Sequence, residues 1–600
     1  MLDILKIFVY NNVRILWAIF LAERPKELIE EDSLMNKKLT TLLLAMMLAL
    51  GSFTGCSSQA TEEDVEATAD TEEAARISMT LSLWLPTSKN TTEEAIELAE
   101  AQINRLTQAK FDTAIDLKAI PEDKYQETID GELDRIAAAL IAEEEEAERK
   151  RKELKELKAQ GIAVEETEEE TTAETVEEET IVNELGISVI KYPEVGANQL
   201  DIFLVQGYDN YLRYIENEQI QQLDGELSGN SKILKTYIYP TYLTLANVSG
   251  TYAIPNNHPV GEYDYLLVNK NLVDTYDYDP RTLNTFLKCQ DFIKDMGYQV
   301  DQGNEDITPL LGEVEAFNMV YWGEDPNEWS VLASQITNTM SYNVKAAPKS
   351  IFSTNVYVNT VGMMKELSEL GYIGDGKVDE GEKFAVGVIS GDASIVEQYE
   401  DEYYVNIYSK PMMTEEDAYG SMFAVSSYSK SLSRSMEILT YLNTSSDIRT
   451  ILQYGAQGVH WDYDDEDTKE TISILSDDYQ MDIVKTGNVY MTYPGEGISM
   501  DYWAYGKQQN IDSISSPYMK FTGYVNDANK AQLAELAELS KTYKATIDAT
   551  PFAEWKTTVD AIKKEIKDNE LINSLLDAEE NENSIASIYG AWYDENYPAG

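Results

Sequence analysis

The chain predicts an α/β fold, and three observations carry that prediction. Thr80-Leu81-Ser82-Leu83-Trp84-Leu85 alternates with period two and stops at Pro86, as a first strand does. Thr91 to Ala109 follows with Ala95, Ile96, Leu98, Ile103 and Leu106 at helical spacing. Leu200 to Val205 is a near-continuous apolar run, the pattern of a strand covered on both faces. Strand and helix patterns alternate along the chain rather than segregating, which is the signature of the class.

Between the first strand and the apolar run, Ala114 to Ile120 reads as a second strand. A helix from Glu122 then runs past Leu140 into a highly charged extension. Glu145 with Arg149, Glu146 with Lys150 and Glu148 with Lys152 have the acid-before-base i,i+4 order that supports an exposed helix by a few tenths of a kcal/mol per pair. Apolar periodicity then disappears from Glu165 to Glu179, so residues 141–182 read as a projecting helix plus an acidic insertion. Further buried strands are expected at Tyr265 to Val268 and Phe384 to Ile389, and helices at Ala528 to Tyr543 and Pro551 to Ile566. No repeat of 20 to 50 residues is present.

The N-terminal region carries a different signal. Met35-Asn36-Lys37-Lys38 is a short positive segment, Leu39 to Leu50 is apolar but too short to span a bilayer comfortably, and Phe53-Thr54-Gly55-Cys56 follows. The pattern resembles a bacterial lipoprotein cleavage site, departing from it at Phe53, where Leu is usual. The resemblance implies a signal peptide over 35–55, acyl chains including palmitate on Cys56, and a chain anchored to the extracytoplasmic face of the cell membrane without spanning it. Residues 1–34 match no export signal and are expected to be an upstream extension from a start assigned too early, with Met35 the initiator. Residues 56–78, rich in Ala, Thr, Glu and Asp, read as a flexible tether.

Composition excludes several classes. A net charge of −60 leaves no basic face for nucleic acid or anionic surfaces. Residues 141–180 hold 16 acidic and 6 basic side chains, so most of that charge is spread over the fold. With Cys56 lipidated, Cys289 has no partner for a disulfide and reads as a buried filler. His258 and His460 are the only histidines, which argues against a His-rich metal site or a His-dependent triad. The acidic runs Asp462 to Asp467 and Asp375 to Glu382 lack the twelve-residue calcium-loop spacing and read as solvated turns. No Walker-type phosphate loop occurs, and no cofactor or metal is expected.

Several segments, in order, resemble the extracellular solute-binding proteins of bacterial ABC importers (family 1), particularly the carbohydrate-binding, maltose-binding-like group. They are the strand ending in Trp84, Asp201-Ile202-Phe203 leading to Gly207-Tyr208-Asp209, Gly250 to Pro255 followed by Leu266 to Lys270, Ala385 to Gly391, and Ala424-Val425-Ser426. Tyr454-Gly455-Ala456-Gln457-Gly458-Val459-His460-Trp461 is the most distinctive and resembles a motif of a clostridial-type branch. The resemblance implies a two-lobed periplasmic-binding-protein-like fold of type II, closing about a hinge. It divides the chain into lobe 1 over 79–255, lobe 2 over 256–415, a return to lobe 1 over 416–455, and the rest of lobe 2 with C-terminal helices over 456–600. It implies a monomer that catalyses nothing, captures an oligosaccharide or other small solute, and passes it to permease subunits.

A pyranose needs flat aromatic platforms and directional hydrogen-bonding groups, and the chain has 39 Tyr and 8 Trp to draw on. Carried over position by position, the resemblance makes Trp84, Tyr208, Asp209 and Glu262 ligand-binding candidates on the first lobe and the crossing. Trp322, Trp503 and Tyr505 are the candidates on the second lobe, with Trp503 the main stacking platform. Each has a plainer reading, as core for the tryptophans and as a helix cap for Asp209. His460 and Trp461 read as packing residues. The alternatives are a peptide or other small-solute binding protein, then a surface adhesion lipoprotein and, more remotely, an extracellular glycoside hydrolase, which needs only two suitably spaced carboxylates.

Overall fold

The computed structural model describes residues 77–159, 180–182, 188–339, 344–378, 383–465, 467–495, 500–521 and 524–597. The signal segment, Cys56 and the tether up to residue 76 lie outside the described residues, as do Glu466 and much of the 141–182 insertion. No helix among the described residues is long and apolar enough to cross a membrane.

The first strand, β1 (Met79–Thr87), is buried along its last seven residues, as its apolar sequence requires of a central strand. Helix α1 (Glu93–Phe111) starts at Thr92, whose side chain accepts from the Ala95 N–H, and buries Ala95, Ala99, Ile103 and Phe111. Strand β2 (Thr113–Pro121) lies parallel to β1. Helix α2 (Glu122–Ala159) buries Tyr125, Ile129, Leu133 and Ile136, then runs on as an exposed charged rod beyond Leu140. Two of the expected pairs form on it, Glu146 with Lys150 at 3.0 Å and Glu148 with Lys152 at 3.5 Å.

Strand β3 (Ile202–Val205) follows, fully buried. Just before it, the buried Asp201 carboxylate accepts from the Ser82 N–H (2.9 Å), Gln199 Nε2 (2.7 Å), Ser429 Oγ (2.8 Å) and the Lys430 N–H (2.6 Å). That satisfies a charge that would otherwise be costly to bury, and it ties three distant segments together. Helices α3 (Tyr208–Glu216) and α4 (Pro240–Leu245) lead to β4 (Ala253–Pro255). The sheet is completed by β9 (Met422–Val425), giving the order β2-β1-β3-β9-β4 with β9 antiparallel to both its neighbours.

Residues 256–262 cross to a second sheet. Strand β5 (Tyr263–Asn269) is its centre, with β6 (Thr308–Leu310), β7 (Phe384–Gly391) and β8 (Tyr403–Ser409) in the order β8-β5-β7-β6. Residues 410–421 cross back to β9, passing the short helix α5 (Glu415–Tyr419), and Met412-Met413 pairs in parallel with Ile514-Ser515 beside this return. The strand expected over 265–268 is longer at its start and the one over 384–389 longer at its end, because each is held in register by a long antiparallel ladder between them. Two sheets joined by paired crossings make the two-lobed α/β architecture of the type II periplasmic-binding-protein class.

The lobes have separate cores. Lobe 1 packs around Leu83, Phe203, Val205 and Phe423, whereas Leu266, Val268, Phe292 and Val386 form the interior behind the second sheet. A third, aromatic core joins Trp322, Phe352, Phe521, Trp555 and Tyr589 under the C-terminal helices. Trp461, Ile472, Tyr479 and Met481, which lie in the 456–600 stretch expected to belong to lobe 2, pack in the lobe-1 core. The distinctive motif explains this. Gly455 has φ +88° and a Cβ there would meet His460 Nδ1 at 2.4 Å, so only glycine fits. His460 Nδ1 accepts from the Ala456 N–H (2.8 Å), and Trp461 Nε1 donates to the Gly455 carbonyl (2.7 Å). Two hydrogen bonds then fasten the turn to α1: Gln102 Nε2 donates to the Gln457 carbonyl (3.0 Å), and the Gln457 N–H donates to Gln102 Oε1 (2.8 Å).

Candidate functional site

Chain direction places one end of each sheet at the crossings. In lobe 1, β4 ends and β9 begins there, and Met422 opposite Val205 brings the end of β3 to the same rim. In lobe 2, β5 begins there, and the pairings of Gly391 with Tyr263 and Ser409 with Asp264 bring the ends of β7 and β8 beside it. Loops at these rims are free to carry binding groups, since the strands behind them are rigid.

On the lobe-1 rim the chain leaves β3 through Gly207, at φ +86°, and turns directly into α3. Tyr208 packs against Tyr419 with ring centroids 4.6 Å apart, and the Gly207 N–H donates to the Tyr419 carbonyl at 2.8 Å. Asp209 stands exposed in the first turn of α3, where the helix N-terminus favours an anion. Helix α5 is fixed opposite by a capping box, in which Thr414 Oγ1 accepts from the Asp417 N–H (3.2 Å) and the Asp417 carboxylate accepts from the Thr414 N–H (2.7 Å). It presents Glu415, whose carboxyl is pushed up to about 7 by burial and by the negative charge of Asp209, against a hydrogen bond from the Lys520 backbone. Burial and the Glu415 charge raise the Tyr208 hydroxyl to about 12.

On the lobe-2 rim a cavity of about 440 Å³ opens between the loop 313–319 and the strand ends. Its walls combine the carboxylates of Asp264, Glu313 and Glu315 with the rings of Phe317, Tyr321 and Tyr408. Ser390 Oγ donates to Asp264 (2.6 Å), Tyr408 OH donates to the Glu315 carbonyl (2.6 Å), and Ser409 Oγ donates to Asn318 Oδ1 (2.6 Å). The Tyr408 ring meets Phe317 edge-on at 5.3 Å. Asn338 braces the floor, donating to the Tyr408 carbonyl (3.0 Å) while accepting from the Lys410 N–H (3.1 Å). Half-buried rings held by their edges, beside carboxylates with lone pairs left to accept hydroxyl hydrogen bonds, suit a ligand with apolar faces and a polar rim. Among the described residues no group of three or more His, Cys, Asp and Glu side chains is placed to hold a metal ion.

The residues singled out from sequence scatter. Tyr208 and Asp209 stand together on the lobe-1 rim. Glu262 is exposed on the first crossing, two residues before Asp264. Trp84 is interior to lobe 1, with the Lys118 ammonium 3.7 Å from its ring centroid. Trp322 is fully buried, donates to Ser334 Oγ at 2.9 Å and packs on Tyr518 and Tyr589. Trp503 is buried against Val489 and Tyr490 and donates to the Thr492 carbonyl at 3.0 Å. Tyr505 donates to Glu397 at 2.6 Å near the surface. Asp264, Glu313, Glu315, Phe317, Tyr408 and Glu415 were not foreseen. The neighbour of Trp322 offered the one usable signal, since Tyr321 ends a strand, and residues adjacent in a strand face opposite ways.

The chain thus has two α/β lobes joined by paired crossings, each with charged and aromatic side chains on the rim beside them. No family model and no curated protein matches the chain. Among solved structures, it is similar to the N-glycan transport solute binding protein (NgtS) from Streptococcus pneumoniae, at 14% identity and TM-score 0.48 over 86% of this chain and 99% of that one. It is similar to an HMO binding ABC-transporter associated solute binding protein from Bifidobacterium longum infantis, at 14% identity and TM-score 0.44 over 87% of this chain and all of that one. The GacH receptor of Streptomyces glaucescens gives 12% identity and TM-score 0.28 over 82% of this chain and all of the other.

Proposed function

We propose that this chain is the solute-binding component of an ABC importer, capturing a carbohydrate of oligosaccharide size between its lobes and delivering it to permease subunits. The observation that carries the reading is the pairing of an aromatic and carboxylate cavity on the lobe-2 rim with Tyr208, Asp209 and Glu415 on the lobe-1 rim, joined by crossings. Such a cleft binds without chemistry: the groups at its rims accept hydrogen bonds and stack, and hinge closure around a solute exchanges water for protein contacts. In this reading Cys56 carries the lipid that holds a monomeric receptor at the extracytoplasmic face of the membrane. No turnover is part of it.

A thermal-shift screen against oligosaccharides, peptides and polyamines tests it, because a ligand at 100 times its dissociation constant stabilises by about 2.7 kcal/mol. Saturable stabilisation by an oligosaccharide that chromatography recovers intact is the expected result. No shift with any oligosaccharide, or hydrolysis of the bound one, would remove the reading. A peptide is the second reading, favoured by the carboxylates on both rims, which suit a terminal amine. Affinity that weakens as ionic strength rises would select it.

A further inference from the structure

The lobes also meet beside the crossings, where Ser515 to Met519 runs along the return crossing and the Ser516 N–H donates to the Met413 carbonyl at 2.9 Å. Met519 packs in the lobe-1 core, whereas Phe521, two residues on, packs in the aromatic core under the C-terminal helices. Lys520 between them has φ +61°, and its ammonium donates to the lobe-1 carbonyl of Asn247 at 3.3 Å. The segment is thus seated on both sides of the seam. It also continues the wall of the lobe-2 cavity, because Met412 borders that cavity and pairs with Ile514, and the Tyr518 hydroxyl donates to the Tyr321 carbonyl.

Helix α6 (Ile585–Asn596) ends against this segment, and its Trp592, with Tyr597 just past its end, lines a crevice with Ser515, Ser516, Pro517 and Met519. The crevice offers about 10 Å³, room for about one water, so a ligand here would lie across the rings and not between them. Tyr589 stacks on Trp592 at 5.7 Å, Phe521 tilts against it at 5.1 Å, and Tyr597 meets it edge-on at 5.9 Å. These contacts orient the indole, yet Trp592 and Tyr597 are only half-buried. Trp322, Trp329, Trp461, Trp503 and Trp555 each donate the indole N–H to a hydroxyl or a carbonyl. Trp84 is buried under Lys118. Trp592 is left as the half-buried indole whose N–H meets no acceptor among the described residues, so it keeps both a face and a donor for something outside the chain.

The lobe-1 rim stands close by. A charge on Tyr597 would raise the hydroxyls of Tyr208 and Tyr419, as the charge of Glu415 also does, so these groups share one neighbourhood. Aromatic faces from lobe 2 and the carboxylates of Asp209 and Glu415 from lobe 1 are the two halves of a complement to a ring with apolar faces and a hydroxyl rim. We propose that Trp592 and Tyr597 form an aromatic subsite for one pyranose unit of the solute, apart from the cavity at Asp264 and Tyr408 and continuous with it along the same wall. The unit stacks across the two rings, the Trp592 N–H donates to one of its oxygens, and Asp209 and Glu415 accept from its hydroxyls. The subsite rests on the carbohydrate-binding reading and adds to it a second place of contact, so that the solute is held through at least two units.

Titration calorimetry on the full chain with a panel of neutral malto-, cello-, manno- and chito-oligosaccharides, from tetra- to hexasaccharide, tests the subsite. For the panel member that binds the natural protein most tightly, Trp592→Leu, which keeps apolar bulk against Phe521 and Tyr589 but removes the flat face, is expected to bind about tenfold more weakly. Trp592→Phe restores a face and is expected to recover most of that loss. Should the leucine variant fold poorly, Tyr597→Leu, past the end of α6, decides the matter with an expected loss of about threefold. Unchanged affinity in the leucine variant that folds, or a phenylalanine variant as weak as the leucine one, would overturn the subsite while leaving the carbohydrate reading in place. A panel of which no member binds the natural protein would overturn both.

Discussion

The turn from Gly455 to Trp461 and the loop from Glu313 to Tyr321 differ in the way most useful for reading function. The turn has the more distinctive sequence and spends its Gly, His and Trp on packing: a positive-φ glycine, an imidazole capping a backbone N–H, and an indole closing on a carbonyl. The loop has no motif at all, and it borders the cavity that the rest of the lobe-2 rim completes. The same division separates the aromatic side chains. Trp84, Trp322 and Trp503 are buried, whereas Tyr321 and Tyr408 are half-buried at the cavity. A large apolar ring with a single donor is best placed where one carbonyl or hydroxyl meets it and everything else is covered; a ring with a terminal hydroxyl can stay at an edge.

The largest effect that would test this contrast is at Trp322. Removing its ring empties the centre of an aromatic cluster, so Trp322→Ala is expected to destabilise by about 3–5 kcal/mol in urea unfolding. Were Trp322 instead a platform for solute, the substitution would cost affinity and leave the unfolding midpoint in place. Gly455→Ala comes next. It forces a side chain into positive φ and against His460, and a loss of about 2 kcal/mol is expected. Solute affinity at the cleft should be unchanged, since the turn is fastened to α1 and not to the rims; a variant with weakened binding and normal stability would return the motif to the site.

Much of the fold was legible because burial leaves a regular imprint. The first strand, the helix after it and the 202–205 run are each read from period or continuity, and each occurs within a few residues of its expected bounds. The candidate site was legible only in Tyr208 and Asp209, which sit directly after a readable strand. Asp264, the loop at 313–317 and Tyr408 are separated by tens of residues and meet only because β5 runs antiparallel to both β7 and β8, while β6, which leads into the loop, lies parallel to β7. No local pattern encodes that meeting. Glu415 was hidden for another reason: in Thr414-Glu415-Glu416-Asp417 it looks like one more exposed acid of a capped helix, and only the tertiary approach of Asp209 and the cover over it set it apart.

At the cavity, Asp264→Asn and Glu315→Gln each remove one charged acceptor while keeping its shape. A loss of about tenfold in affinity for the oligosaccharide found by the screen is expected from each, about 1.4 kcal/mol, with unfolding unchanged. If neither alters binding while substitution of Trp503 does, the contrast between buried indoles and half-buried tyrosines fails at its functional end.

The smallest effect concerns Glu415 and is a matter of sign. Its carboxyl titrates at about 7 in the folded chain, above the 4.5 of an ordinary glutamate. The folded state therefore holds a proton that the unfolded state has released over that interval, and its stability contribution is full below about pH 4.5 and lost as pH rises through about 7. Glu415→Gln keeps the hydrogen-bonding shape and has no proton to lose. Unfolding free energies of the two proteins, measured side by side from pH 4.5 to 8, should diverge in favour of the variant by about 1 kcal/mol, less than the full shift because the group is partly solvated. Taking the difference at each pH cancels the titration of groups that are alike in both proteins. A difference that stays flat would mean that Asp209 and solvent leave Glu415 an ordinary surface acid, and the lobe-1 rim would lose the feature that separates it from the many other carboxylates of the chain.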